Sequence, residues 1–352
     1  MLREYFEQSN KVYSLLEDKE SKDIFMYKSM FYGSYDYRYI FEMVDRYTQL
    51  STLDFRWDDF IKKIKYACEK GKKIVIYGAG GEGLALQTIL NSQGIPVAFF
   101  ADRNYELINR KDVVSPDELI DRYMANDDIV VVIGTEIYFE EIKNSLLKKG
   151  ILLCDIFGGK ADIEKQYFAD EIIQYTSDEV FVDCGSLNFM TCEYFMKKCT
   201  TNVGKIFAFE PDDSNYNMCL DRINKHNLDI KLYPYGVYSE NSVMGFVYNN
   251  GGTSRISQQG EGTIETCKLD DILKGERVTF IKMDIEGAEF EALKGAENLI
   301  TKNRPKLAIS VYHKPEDMIE IVLYLKSLVP EYKFYLRHYS IYSVETVMYA
   351  VL

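Results

Sequence analysis

The sequence predicts an α/β protein built on two mostly parallel sheets, the larger one toward the C-terminus, with a helical segment ahead of both. Three observations lead there. Residues Val180 to Asn188 (V-F-V-D-C-G-S-L-N) and Phe280 to Glu289 (F-I-K-M-D-I-E-G-A-E) are apolar, β-branched runs that stop on an acid and a glycine. Buried parallel strands end this way where they deliver a loop to a ligand crevice. A third run, K-K-I-V-I-Y-G-A-G-G-E-G, sets Gly78, Gly80 and Gly83 just after a strand and at the start of a helix.

Residues 1–56 read as a helical N-terminal segment, rich in tyrosine and phenylalanine, with Y-I-F-E-M-V-D-R-Y from Tyr39 near helical spacing. A helical cap, a dimerisation arm and a substrate lid all fit this composition. Residues 57–160 read as a smaller α/β domain. Phe60, Ile61, Ile64 and Cys68 share one helical face, and strands K-I-V-I-Y, P-V-A-F-F-A-D and D-I-V-V-V-I-G alternate with helices. The G-x-G-x-x-G context suits a pyrophosphate held at a helix N-terminus, and Asp102 stands where a ribose-binding acid is expected.

Residues 161–352 carry seven expected strands. V-F-V-D-C-G-S, K-I-F-A-F-E-P, I-K-L-Y-P-Y-G-V-Y, V-T-F-I-K-M-D and K-L-A-I-S-V-Y are separated by helices or by a polar insert from Glu240 to Lys274. Two final runs, Y-K-F-Y-L-R-H-Y and E-T-V-M-Y-A-V-L, read as an antiparallel pair. The carboxyl ends of neighbouring parallel strands share one crevice, which places Asp183, Gly185, Glu210 and Asp284 at one edge.

The smaller domain resembles the Rossmann-like nucleotide-binding domains of sugar-modifying proteins, including sialic-acid-type sugar acetyltransferases, and of some methyltransferases. G-A-G-G-E-G and F-A-D carry that resemblance. It implies a second nucleotide site on Gly78, Gly80, Gly83 and Asp102, or a degenerate domain used for positioning or assembly. The larger domain has the layout of a Rossmann-like class I methyltransferase that uses S-adenosylmethionine (SAM). Its V-F-V-D-C-G-S, F-A-F-E-P, D-I-E-G-A-E-F-E-A-L-K-G-A and P-K-L-A-I-S-V-Y-H runs resemble the FkbM methyltransferase family. That resemblance implies methyl transfer from SAM to an oxygen of a sugar, glycan precursor or secondary metabolite. It also implies cofactor contacts from Asp183, Gly185, Ser186, Glu210, Tyr235, Gly236, Val237 and Asp284. Phe189 stands where the family has a second glycine, and its ring is expected to crowd the methionine tail.

Methyl transfer is an in-line displacement, so the protein must orient the acceptor oxygen and take its proton. His313, with an ordinary pKa near 6.5, is read as the general base, with Asp284 and Glu286 orienting acceptor or cofactor. A satisfied strand-end histidine and helix-capping acids are the alternatives. A divalent metal on these three residues is an alternative, two oxygens and one nitrogen suiting Mg or Mn only moderately, and none is expected. Arg255 and Lys282 are candidates to meet an anionic group on the acceptor.

The net charge of −13 and pI near 4.9 set the averaged field against nucleic acid and anionic membrane, favouring a small-molecule or sugar substrate. The seven cysteines form no C-x-x-C pair, the N-terminus lacks the apolar core of a signal peptide, and a cytoplasmic location is expected. A homo-oligomer is left open. Two rival functions are a nucleotide-sugar-binding or assembly protein with a degenerate methyltransferase domain, and an NAD oxidoreductase using the Gly78 loop.

Overall fold

The structure is a computed structural model that describes residues 2–47, 55–125, 128–160, 165–199, 203–226, 229–248, 254–257 and 259–352. Asn249 to Thr253 of the polar insert, and the expected domain start at Ala161, lie outside the described residues. Two compact units emerge. One comprises Met1–Met26, Glu164–Arg337 and Val344–Leu352; the other comprises Tyr27–Ile163 and His338–Ser343.

The helical N-terminal segment is real but divided between the units, unlike the single piece expected over 1–56. Helix Leu2–Leu15 and the first turns of helix Lys19–Ser34 fall in the unit of Glu164–Arg337. There Leu16 bridges Phe334, and the Arg337 guanidinium pairs with Asp18 at 2.8 Å. Helix Arg38–Tyr47 falls in the other unit, burying Ile40, Phe41, Met43 and Val44. Residues 338–343 join that unit because the Trp57 indole donates to the Ile341 carbonyl at 2.8 Å and the Ile341 amide donates to Glu136 at 3.0 Å.

In the Tyr27–Ile163 unit, five parallel strands, β1 (Lys73–Tyr77), β2 (Val97–Ala101), β3 (Val113–Val114), β4 (Ile129–Ile133) and β5 (Ile156–Phe157), take the order β3-β2-β1-β4-β5. Both faces of β4 are buried, as its unbroken I-V-V-V-I requires.

The larger unit has a seven-stranded sheet and a four-stranded one. Its strands are β6 (Glu179–Cys184), β7 (Val203–Phe209), β8 (Ile230–Tyr233), β9 (Gly236–Val237), β10 (Val243–Val247), β11 (Arg255–Ile256), β12 (Gly262–Cys267), β13 (Phe280–Met283), β14 (Lys306–Ser310), β15 (Lys333–His338) and β16 (Thr346–Val351). The larger sheet runs β15-β16-β14-β13-β6-β7-β8, parallel from β14 to β8, with β16 antiparallel to β14. I-K-L-Y-P-Y-G-V-Y, expected as one strand, splits at Pro234, which has no amide to donate to a ladder. Its second half, β9, pairs with β12 in the smaller sheet β11-β10-β12-β9.

Under the large sheet, Phe168, Phe181, Phe195 and Phe280 form an aromatic core, Phe181 and Phe195 stacking at 4.2 Å. Full burial of each ring contributes roughly 1.5–3 kcal/mol. Strand order reverses direction between β6 and β13, since β6 leads on to β7 and β8 while β13 leads to β14. A ligand crevice is expected outside the carboxyl ends of such a pair. Among the described residues, no helix is long and apolar enough to cross a membrane.

Candidate active site

A cleft with about 690 Å³ of empty space, open to solvent, lies at that reversal. Its floor is the loop after β6. Gly185 has φ +82°, a conformation that L side chains rarely adopt, and a Cβ there would sit 2.0 Å from the Asp284 carbonyl. Gly185, Glu210, Tyr235, Gly236, Val237, Asp284 and Glu286 all line the cleft. The contributions that sequence reasoning missed are Leu187, Phe209, Pro211 and Asn215, with Phe246, Ile256 and Ile264 from the small sheet. Arg255 stands at its wall.

Glu210 follows β7 and is 5 % exposed. Its carboxylate accepts the Leu187 amide at 2.8 Å and the Asp212 amide at 3.0 Å. Burial nevertheless dominates and pushes its pKa up to about 7. Asp212 caps helix Asp213–Ile223 by accepting from the Ser214 and Asn215 amides, which fixes the chain just beyond Glu210.

Asp183 and Ser186 were expected at the cofactor, and the structure puts both behind the loop instead. Asp183 is wholly buried, with the Lys282 ammonium 2.9 Å from one carboxylate oxygen and the Cys192 thiol donating to the other at 3.2 Å. Lys282 in turn donates to the Gly185 carbonyl at 2.7 Å, so this buried pair sets the loop from beneath, and Lys282 is not available to an acceptor. Ser186 donates its amide to the Phe209 carbonyl and its hydroxyl to the Asp183 carbonyl. Phe189, with φ +67°, turns its ring into the core and does not line the cleft.

Beyond β13, Asp284 accepts from the Tyr167 hydroxyl at 2.6 Å and the Tyr312 hydroxyl at 3.3 Å. Burial would raise its pKa, but His313 and Lys282 more than offset this and hold it below the usual carboxylate range. Glu286 sits at φ +55° and turns its carboxylate toward His313. Glu345, unnoticed in the sequence, precedes β16 and accepts from Tyr312 at 3.3 Å; burial and the charge of Asp284 raise its pKa to about 7. Because β16 is antiparallel to β14, its first residue arrives at the same edge as the ends of the parallel strands.

His313 departs from the expected base. Its Nδ1 lies 3.1 Å from Glu289, and its Nε2 lies 3.6 Å from both Asp284 and Glu286. Burial opposes a charge there, yet these carboxylates win and raise the imidazole to about 11. In this setting the imidazole is a poor acceptor for a further proton. Glu289 itself is fully buried and accepts the amide of Ile285, ahead of helix Glu289–Lys294, at 2.8 Å.

In the Tyr27–Ile163 unit, Gly78 has φ +105°, and a Cβ on Gly83 would meet the Gly78 carbonyl at 1.9 Å, while Gly80 has open space around it. Asp102 is already engaged, accepting the Ala79 amide and the Asn104 amide at 2.8 Å each. Glu82, in the first turn of helix Gly81–Ser92, accepts the Glu136 amide at 3.2 Å, and burial raises its pKa. The Asp102 and Glu82 carboxylates beside this loop are thus both engaged by backbone amides.

Residues 183–334 match the family described as Methyltransferase FkbM domain. A hexuronic acid methyltransferase, AglP of Haloferax volcanii, is 28 % identical over 108 residues, 29 % of this chain and 45 % of AglP, so the chain spans under half that relative's length. The crystal structure of methyltransferase FkbM from Methylobacillus flagellatus KT superposes with a TM-score of 0.51 at 17 % identity, covering 95 % of this chain and 99 % of that one, a likeness of fold. Residues 183–334 of this chain are thus similar to a methyltransferase FkbM domain.

Proposed function

We propose that this chain is a SAM-dependent O-methyltransferase acting on a hydroxyl of a sugar, glycan precursor or related metabolite. The observation that carries the reading is the cleft at the β6/β13 reversal, where Gly185 leaves no room for a side chain and Glu210 stands ready for a ribose. The cradle fits the cofactor chemically: a carboxylate for hydroxyl groups, backbone bared by glycine, and apolar Leu187, Phe209 and Val237 for an adenine face. SAM bound there supplies a methyl group on a sulfonium sulfur, an electrophile that needs no further activation.

The chain's own task is to position the acceptor oxygen and receive its proton. Asp284 and Glu286 reach the cleft, whereas His313 stands behind them, its Nε2 3.6 Å from a carboxylate oxygen of each. Asp284, tied by Tyr167 and Tyr312, is suited to orienting, and Glu286, lacking those tyrosine ties, to taking the proton. The insert residues Phe246, Ile256 and Arg255 form a wall on the acceptor side, and the AglP resemblance supports a sugar there. Calorimetry of SAM against wild type and Glu210→Ala tests the reading. Loss of charge-assisted hydrogen bonds should weaken binding by about 1.5–3 kcal/mol per bond, and equal affinities in a folded variant would refute it.

A further inference from the structure

We propose that Asp284 Oδ1, Glu286 Oε2 and His313 Nε2 form a binding site for a divalent cation of the Mg²⁺/Mn²⁺ class. These three atoms lie within 4.8 Å of one another at the cleft. An acidic cluster alone would carry no such conclusion, but His313 adds a separate observation. Its side chain is 9 % exposed, and its buried Nε2 has no hydrogen-bond partner among the described residues. Nε2 points between two carboxylate oxygens at 3.6 Å each, too far for hydrogen bonds and spaced as ligands around an ion are. On the ring's far side Nδ1 faces buried Glu289 at 3.1 Å, the outer carboxylate that commonly orients a metal-binding histidine.

Charge points the same way. Three carboxylates, Asp284, Glu286 and Glu289, surround one imidazole. A divalent ion replacing its Nε2 proton would leave one less net negative charge in a mostly buried pocket. Asp284 and Glu286 retain 22 % and 25 % of their side-chain exposure, so coordination positions stay open toward the cleft. Resting on the methyl-transfer reading, the ion's role is to hold the acceptor's oxygen and lower the pKa of its hydroxyl.

The test is Mn²⁺ binding to the chelator-treated full-length chain, read by electron paramagnetic resonance, with SAM affinity measured in parallel. One Mn²⁺ per chain, competed by Mg²⁺, with nitrogen coupling in the spin-echo spectrum, is expected; Glu286→Gln and His313→Gln should each weaken it about tenfold or more. The site is overturned if wild type binds no Mn²⁺ up to about 10 mM, if the bound ion shows no nitrogen coupling, or if both folded variants bind it as wild type does. The nitrogen readout needs no variant, so it decides even where a substitution unfolds the chain. SAM binding without Mn²⁺ overturns this site alone; Mn²⁺ binding without SAM supports it and overturns the methyl-transfer reading instead.

Discussion

The α-carbon of Gly185 packs against the carbonyl of Asp284 so closely that a Cβ would stand 2.0 Å from that oxygen. This contact joins the tips of β6 and β13 and sets the width of the cleft. Gly185→Ala faces both the clash and the left-handed backbone, whose cost alone is about 1–2 kcal/mol. Either the β13 tip shifts or the loop opens. The variant should melt several degrees lower and bind SAM at least tenfold more weakly. Wild-type affinity in calorimetry would show that the tips are not coupled to the site.

Glu210 should make SAM affinity depend on pH. With a folded pKa near 7 against an ordinary 4.5, the unliganded protein holds this proton more tightly than the unfolded chain does. Glu210 therefore disfavours the fold increasingly as pH rises from about 4.5 to about 7, and no further above that. Ribose hydroxyls donate to the ionised form, so the ligand pulls the opposite way. Affinity should fall about tenfold per unit as pH drops below 7 and level off above it. Glu210→Gln should be weaker throughout and flat across this range, as calorimetry at pH 6 and 8 will register.

The Asp183–Lys282 pair is a positioning device buried beneath the loop. Lys282→Met leaves an uncompensated carboxylate in a site with no solvent, a loss of about 3–5 kcal/mol. Asp183→Asn with Lys282→Met removes both charges and should recover much of that stability. The double variant still lacks the ammonium that donates to the Gly185 carbonyl, so SAM affinity should stay impaired while the melting temperature returns. Chemical denaturation and calorimetry on wild type and these two variants separate the two effects.

Much of this was legible because strands buried on both faces announce themselves. The apolar runs ending on Asp183, Glu210 and Asp284 needed only the rule that parallel strands share one carboxyl edge. Which acid faces the ligand was not legible, because Asp183 and Asp284 end nearly identical runs. The difference is Lys282, 99 positions along the chain from Asp183 and brought beside it by strand register. His313 misled for the same reason: an imidazole's charge depends on its neighbours, and Glu286 and Glu289 close around it only once the loop turns at Glu286 and Gly287. Glu345 carried a readable signal, an acid opening an antiparallel last strand, whereas nothing around Tyr167 marks it as a partner of Asp284.

Phe189 decides between two opposing effects. Its left-handed backbone, at φ +67°, costs about 1–2 kcal/mol that a glycine would not incur. Its ring is fully buried, and emptying such a site costs about 3–5 kcal/mol. The second term is larger, so Phe189→Gly should destabilise the protein by roughly 1–4 kcal/mol, even though it restores the residue that the FkbM resemblance leads one to expect. Since the ring points away from the cleft, SAM affinity of the folded fraction should change less than threefold. Denaturant unfolding and calorimetry measure the two outcomes. A gain in affinity of tenfold or more would return Phe189 to the role of an obstruction at the methionine tail.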